Sequence, residues 1–244
     1  MRLLVKVEAT KNQAYDAKYH HKVQGLIYDL VNNYDPSLHD RPGYKYFCFS
    51  NIFPIADMNS GDIRNLIISS ADPKLIESLR QHIPEHVNIG DMSYTLLEKK
   101  TFTPEIRTPL KLVTATPVTM RIPKERYSDY GITSDKDWLY WRPEYSFTAY
   151  VKQLEENLIK KYNEYHKTEA EETAIFQQYI YKKPTHNPTI IDNREEVITG
   201  SIWEYDYTHI TPEQRKMIAF ALDTGIGERN TMGYGFLNAV KGLE

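Results

Sequence analysis

The sequence has little that would tie the protein to a membrane or an oxidising compartment. It contains a single cysteine, Cys48, in 244 residues, which excludes an internal disulfide framework and a cysteine-based zinc site. No apolar run approaches the length of a membrane span, and residues 1–6 begin as a strand would rather than as a signal peptide would. We therefore expect a cytoplasmic protein with no membrane partner.

Excess positive charge is also lacking. The chain has 30 Lys and Arg against 33 Asp and Glu, a formal net charge of −3, so it does not have the basic balance usual for nucleic-acid binders. Any site for nucleic acid must then be a local patch. The 8 histidines are scattered, and Pro84 interrupts the one helical pair, His82 and His86, so we expect no metal site and no cofactor.

Glycine is sparse but concentrated near the C-terminus. Four of the 11 glycines form two Gly-x-Gly pairs, namely Gly225, Gly227, Gly233 and Gly235. A helix-ending turn would need only one glycine, and such a run can present backbone N–H groups to an anion. A helix is predicted from Thr211, where Gln214 is placed to complete a capping box, and it ends before the loop. A strand follows the loop. Dinucleotide and Walker loops need the order strand, loop, helix, so both are excluded.

The predicted elements repeat one order, strand-helix-strand-strand-helix-strand, which is that of a ferredoxin-like unit. Hydrophobic periodicity predicts, for the first unit, strands at 2–9, 44–53, 61–69 and 86–99 (with a bulge or turn at Gly90-Asp91) and helices at 19–33 and 73–82. For the second unit it predicts strands at 110–122, 174–183, 197–207 and 235–240, a long connection at 123–143, and helices at 144–165 and from 211. The prediction is an α+β protein of two tandem ferredoxin-like (RRM-like) domains, at 1–100 and 110–244, joined by a linker at 101–109.

Two motifs carry a resemblance to a known family. One is the loop Gly225-x-Gly227-x5-Gly233-x-Gly235; the other is Gln24-Gly25-Leu26-Ile27-Tyr28, followed by Leu38-His39 and by Lys45 six residues later. With this layout the chain resembles the archaeal-type CRISPR-associated endoribonucleases that process precursor CRISPR RNA, the sixth Cas family of the RAMP superfamily. The resemblance covers essentially the whole chain, and it implies the paired ferredoxin-like fold predicted above.

The resemblance implies that Tyr28, His39 and Lys45 form a metal-independent active site in the first domain. Attack by the RNA's own 2′-OH needs a base, a proton donor for the leaving 5′-oxygen and a positive group near the phosphate. The products would carry 2′,3′-cyclic phosphate and 5′-OH ends. Which of Tyr28 and His39 is the base stays open, and His20 and His21 compete with His39. Asp40 beside His39 would raise the histidine pKa or repel RNA.

Candidate RNA contacts lie in the second domain. The segment 99–126 is the most basic stretch of the chain, and Lys111, Arg121, Lys124 and Arg126 are its candidate RNA-binding residues. The glycine-rich loop, with Arg229 and Asn230 at its tip, is expected to hold the RNA near the cut. The expected partner is CRISPR repeat RNA. The sequence leaves open whether the chain forms a homodimer and whether it hands its product to an interference complex.

Two functions of other classes remain open on the sequence alone. A non-catalytic RNA-binding module of the RRM type would stack bases on the aromatic residues of 44–49, although the opening of the usual RRM motif is missing. A pair of ferredoxin-like domains that senses a small molecule is the third reading. Cleavage of RNA separates the first reading from the other two, and RNA affinity separates the second from the third.

Overall fold

A computed structural model describes residues 1–32, 34–170, 174–191 and 194–241. The predicted helix end at Asn33, and residues 171–173, 192–193 and 242–244 of the predicted second domain, lie outside the described residues. The strands are β1 (Arg2–Ala9), β2 (Phe47–Phe49), β3 (Ile63–Ser70), β4 (His86–Ile89), β5 (Met92–Phe102), β6 (Leu110–Thr114), β7 (Arg121–Pro123), β8 (Trp138–Tyr140), β9 (Tyr179–Ile191), β10 (Arg194–Tyr207) and β11 (Leu237–Lys241). The helices are α1 (His20–Val31), α2 (Pro73–His82), α3 (Tyr127–Tyr130), α4 (Phe147–His166) and α5 (Pro212–Thr224).

Two antiparallel sheets repeat one topology. The first has the order β2-β3-β1-β5-β4 and the second has the order β11-β6-β10-β9. In each sheet the first and third strands of the unit lie at the centre, as a ferredoxin-like unit requires, and two helices connect the strands. The predicted fold class, two tandem ferredoxin-like domains, is confirmed.

Each unit buries its own core, and the sequence patterns explain how. On α1, Val23, Ile27 and Val31 recur at helical spacing and are buried against the first sheet. At the start of α5, the Thr211 hydroxyl accepts from the Gln214 amide and the Gln214 side chain accepts from the Thr211 amide. This is the capping box that the sequence predicts.

Four predicted strands are wrong in extent. The strand predicted at 174–183 is displaced, because Gln178 has a φ of 42° and turns the chain before β9, whose pairing with β10 then continues to Ile191. Of the strand predicted at 44–53, only β2 (Phe47–Phe49) forms, because Tyr46 has a φ of 53° and turns the chain just before it. The strand predicted at 110–122 is broken into β6 and β7 around Pro117, which has no N–H for a ladder. The strand predicted at 86–99 is a hairpin of β4 and β5 that turns at Gly90, where φ is 62°.

The two units meet along β1 and β2 of the first and the end of α5 of the second. Arg2 is 2% exposed, and its guanidinium donates to the carbonyls of Leu222 and Leu237. The same guanidinium lies 4.5 Å from the centre of the Phe236 ring. These contacts fix the relative position of the units, and therefore the width of the cleft between them.

Candidate active site

The three predicted catalytic residues come together at the edge of the first unit. Tyr28 lies near the end of α1, His39 on the following loop and Lys45 just before β2. The Tyr28 and His39 rings meet edge to face with their centres 4.8 Å apart. Lys45 Nζ donates to the His39 carbonyl at 3.3 Å. The loop therefore folds back on α1, with the His39 ring against the Tyr28 phenol and the Lys45 amine against the His39 backbone.

The environment gives these groups different protonation behaviour. Burial raises the Tyr28 pKa above its usual value, while hydrogen bonding to Thr231 and Gln24 opposes the rise, so the phenol is neutral at pH 7. Burial, and then the nearby Arg41, lower the Lys45 pKa from 10.5.

His39 is oriented by its sequence neighbour. Its side chain is 65% exposed, and its Nδ1 lies 2.7 Å from Asp40 Oδ1. A carboxylate at Nδ1 favours the tautomer with a proton on that nitrogen. The other ring nitrogen, Nε2, then carries the free lone pair of the ring. Asp40 thus acquires an orienting role that the sequence alone did not assign.

The glycine loop (residues 225–235) packs more closely than a helix-ending turn would. All four glycines have positive φ, between 68° and 82°. A Cβ on Gly235 would lie 1.9 Å from the Ile226 carbonyl oxygen, and one on Gly233 would lie 2.4 Å from the Phe49 ring. Only glycine allows both the conformation and these approaches. The loop is thus fitted against β2 of the first unit.

The loop does not act as a backbone cradle for an anion along its whole length. The amides of Gly225, Gly233 and Gly235 donate to carbonyls within the protein. Contrary to its predicted place at the tip, the Asn230 side chain turns inward, where its amide nitrogen donates to Ile226 at 3.0 Å and to Tyr234 at 2.9 Å. Asn230 therefore braces the loop and also lines the cleft described below, and its contact with RNA stays a prediction.

A cleft of about 220 Å³ separates the glycine loop from the segment that carries Lys45. Arg121 and Arg229 also line it, as does Lys161 of α4. Arg121 is paired with Glu228 and lies 5.7 Å from the Trp138 ring centre. Cations from both units thus face one cleft next to Tyr28 and His39.

The rest of the predicted basic run does not converge on this cleft. Lys111 is paired with Glu204 at 3.4 Å, and Arg126 with Glu156 at 2.6 Å. Lys124 is exposed and does not line the cleft. Carboxylates distant in sequence thus pair with three of the four predicted RNA contacts, Arg121 included, and of the four only Arg121 lines the cleft.

The competing histidines occupy other surroundings. His20 is 6% exposed and stacks against Tyr19 and Tyr234, with ring centres 4.4 and 5.6 Å away. Burial lowers its pKa to about 4, so it is neutral and serves packing. His21 lies seven residues before Tyr28 on α1, which is about 10 Å along the helix axis. His39 is the histidine in contact with Tyr28.

Sequence reasoning missed Lys161. It is 2% exposed, and its Nζ donates to the Gly225 carbonyl at 2.8 Å and to Asn230 Oδ1 at 2.9 Å. Burial lowers its pKa to about 7. Its position in the sequence could have indicated that it is buried, because it lies on the same face of α4 as the buried Leu154 and Leu158.

The family profile described as "CRISPR associated protein Cas6, C-terminal" matches residues 98–239, more than half of the chain. The chain belongs to the Cas6 family. The chain is 30% identical to the "CRISPR-associated endoribonuclease Cas6" of Haloferax mediterranei, over 99% of this chain and 94% of that protein. It is 28% identical to "CRISPR-associated endoribonuclease Cas6 2" of Methanocaldococcus jannaschii, over 99% and 100%.

Solved structures share the Cas6 fold of this chain. A structure titled "An RAMP protein binding different RNA substrates" aligns over 99% of this chain and 100% of its own, with a TM-score of 0.72 and 19% identity.

Within the described ranges, no helix is long and apolar enough to cross a membrane. In the same ranges, no group of three or more His, Cys, Asp or Glu side chains is arranged to hold a metal.

The described sheet also bears on the RRM-type reading. In this Cas6-family chain Phe47 and Phe49 are fully buried, and Tyr46 is hydrogen bonded to Glu164 at 2.7 Å. Base stacking needs exposed aromatic faces on the sheet. Phe47 and Phe49 therefore belong to the core of the first unit and offer no open face for stacking, while Tyr46 packs against the second unit.

Proposed function

We propose that this chain is a metal-independent endoribonuclease that cuts CRISPR repeat RNA to mature crRNA. The observation that carries the proposal is the contact of Tyr28, His39 and Lys45 beside a cleft lined by cations. The relatives named above as endoribonucleases, and the neighbour titled as binding RNA substrates, support the same activity here. In this proposal the first domain (1–100) supplies the chemistry and the second (110–244) the glycine loop. Residues 101–109 join them, although Thr101 and Phe102 complete β5.

The 2′-OH next to the scissile phosphate is the nucleophile of the proposed reaction. His39 takes its proton through Nε2, the nitrogen opposite Asp40. The oxygen attacks phosphorus, and the bond to the 5′-oxygen breaks. Tyr28, neutral because burial raises its pKa, gives its proton to that leaving oxygen. The products are a 2′,3′-cyclic phosphate and a 5′-OH, and no water is consumed in this step.

Lys45 stabilises the charge that develops on the phosphate oxygens. Its amine is held by the His39 carbonyl, which keeps it within reach of the same phosphate. Electrostatic stabilisation of this kind is commonly the largest single contribution to catalysis. The exchange of roles between His39 and Tyr28 is the alternative, and the pH dependence of the rate distinguishes the two assignments.

Variants of these residues test the proposal. In single-turnover cleavage of repeat RNA, we expect His39→Ala to lower the rate by about 100-fold or more, the range for loss of a general acid or base. Its affinity for RNA should stay within about threefold, a change under 0.7 kcal/mol. His86→Ala, at an exposed histidine on β4, is the matched control. Wild-type cleavage by His39→Ala would refute the assignment, and tight binding without cleavage by the wild type would favour the non-catalytic reading.

A further inference from the structure

Lys161 lies beneath the glycine loop, on the inner face of α4. Its Nζ has three oxygen neighbours, all supplied by the loop: Gly225 O at 2.8 Å, Asn230 Oδ1 at 2.9 Å and Gly227 O at 3.5 Å. The side chain is 2% exposed and lines the base of the cleft. Among the described residues, no other charged side chain donates hydrogen bonds to both a carbonyl of the loop and the Asn230 side chain.

We propose that Lys161 is a positioning residue that sets the glycine loop in the shape that binds RNA. This inference rests on the proposed function for its RNA readout, whereas its effect on the loop can be measured without RNA. Lys161 does not touch the reacting atoms. It acts through the loop residues that its amine holds.

Burial of a lysine at this position is energetically unfavourable, and packing alone does not explain why a lysine is there. Taking an ammonium group out of water is unfavourable unless several acceptors surround it. Burial lowers the Lys161 pKa to about 7, while the nearby Cys48 and Glu228 act in the opposite direction. An apolar side chain would satisfy the helix register equally well, so the loop is the partner that needs the amine.

The hydrogen bonds show how Lys161 reaches the cleft. It holds Asn230, the first residue of a 3-10 turn at Asn230–Met232. Arg229, which lines the cleft, directly precedes that turn with a φ of 56°, an unfavourable conformation for a non-glycine residue. Thr231 within the turn accepts from Gln24 of α1 at 3.3 Å. Without the amine, the turn that presents Arg229 to the cleft loses its anchor on α4.

The test compares Lys161→Met with Lys160→Met, which removes the same charge from the adjacent, exposed position. For Lys161→Met we expect repeat RNA to bind at least about tenfold more weakly, a change of about 1.4 kcal/mol. At saturating protein its single-turnover rate should stay within about threefold of wild type, since the catalytic trio is untouched. His39→Ala should show the reverse, a lost rate with retained affinity. Lys160→Met should match wild type in both.

Hydrogen exchange of the RNA-free protein separates loop positioning from a general effect on folding. In Lys161→Met we expect the amides of Gly225, Ile226 and Gly235, which donate to the carbonyls of Ala221, Gly235 and Pro117, to exchange at least about tenfold faster. Amides of β1 should keep the wild-type rate. Equal acceleration in β1 and the loop, or unchanged affinity and loop exchange, would overturn the proposal. If the wild type binds no repeat RNA, the proposed function fails, and the exchange data still decide whether Lys161 holds the loop.

Discussion

Replacing Gly235 by alanine should disrupt the glycine loop far more than the small change in volume suggests. Gly235 has a φ of 73°, and a Cβ there would lie 1.9 Å from the Ile226 carbonyl oxygen. The left-handed conformation costs a non-glycine residue about 1–2 kcal/mol. The Ile226 carbonyl must also move away from Asn230 Nδ2, its donor at 3.0 Å, and an unsatisfied buried group costs about 1–3 kcal/mol. The sum predicts a loss of about 2–5 kcal/mol in the free energy of unfolding.

Gly131 provides the matched control. Its φ is 68°, but a Cβ there would meet nothing within 4 Å. Gly131→Ala should therefore cost only the conformational part, about 1–2 kcal/mol. Equilibrium unfolding in guanidinium chloride measures both variants against wild type, with equal slopes required for the comparison. Equal losses for the two variants would refute the argument that the close approach to Ile226 dictates glycine at 235.

Three further predictions concern stability, pH and RNA affinity. Gly25→Ala on α1, where a Cβ meets nothing within 4 Å, should raise the free energy of unfolding by about 0.5–1 kcal/mol in a denaturant titration; a loss would contradict the helix as described. Burial lowers the Lys161 pKa from 10.5 to about 7. Between these two pH values the unfolded chain therefore binds one proton more than the folded chain. The free energy of unfolding should then rise with pH in this range by up to about 1.4 kcal/mol per pH unit, relative to Lys161→Met. Denaturation of both proteins from pH 6.5 to 9.5 checks this, and a constant difference between them would count against it. Arg229→Ala should weaken binding of repeat RNA and reduce the salt slope of log K by about 0.7, the single-strand value for one phosphate contact; an unchanged slope would remove Arg229 from the RNA contacts.

The sequence predicted the fold through features that act locally. Helical spacing located α1, and the Thr211 and Gln214 pair located the start of α5, because both depend on residues within a few positions. The break in the strand predicted from Leu110 was readable at Pro117. The turn at Tyr46 could not be predicted from the local sequence. Its positive φ accompanies contacts with Glu164 and Tyr165, which lie far along the chain in the second unit.

The candidate site was foreseen where it rests on motif residues and missed where it rests on tertiary contacts. The contact of Tyr28, His39 and Lys45 follows the order helix, loop, strand along one segment. The pairing of Lys111 and Arg126 with Glu204 and Glu156 joins residues 93 and 30 positions apart, and no local pattern reports it. The register of Lys161 on α4 indicates burial, but no local pattern reports that the glycine loop lies against its amine.

The most direct test of the central claim is cleavage of repeat RNA in EDTA, with one substrate carrying a 2′-deoxy nucleotide immediately 5′ of the cut. We expect one specific cut in the unmodified RNA, with 2′,3′-cyclic phosphate and 5′-OH ends, and no cut in the deoxy substrate, which should still bind. Cleavage of the deoxy substrate would show that the 2′-OH is not the nucleophile. Loss of all cleavage in EDTA, restored by a divalent cation, would contradict the metal-independent mechanism.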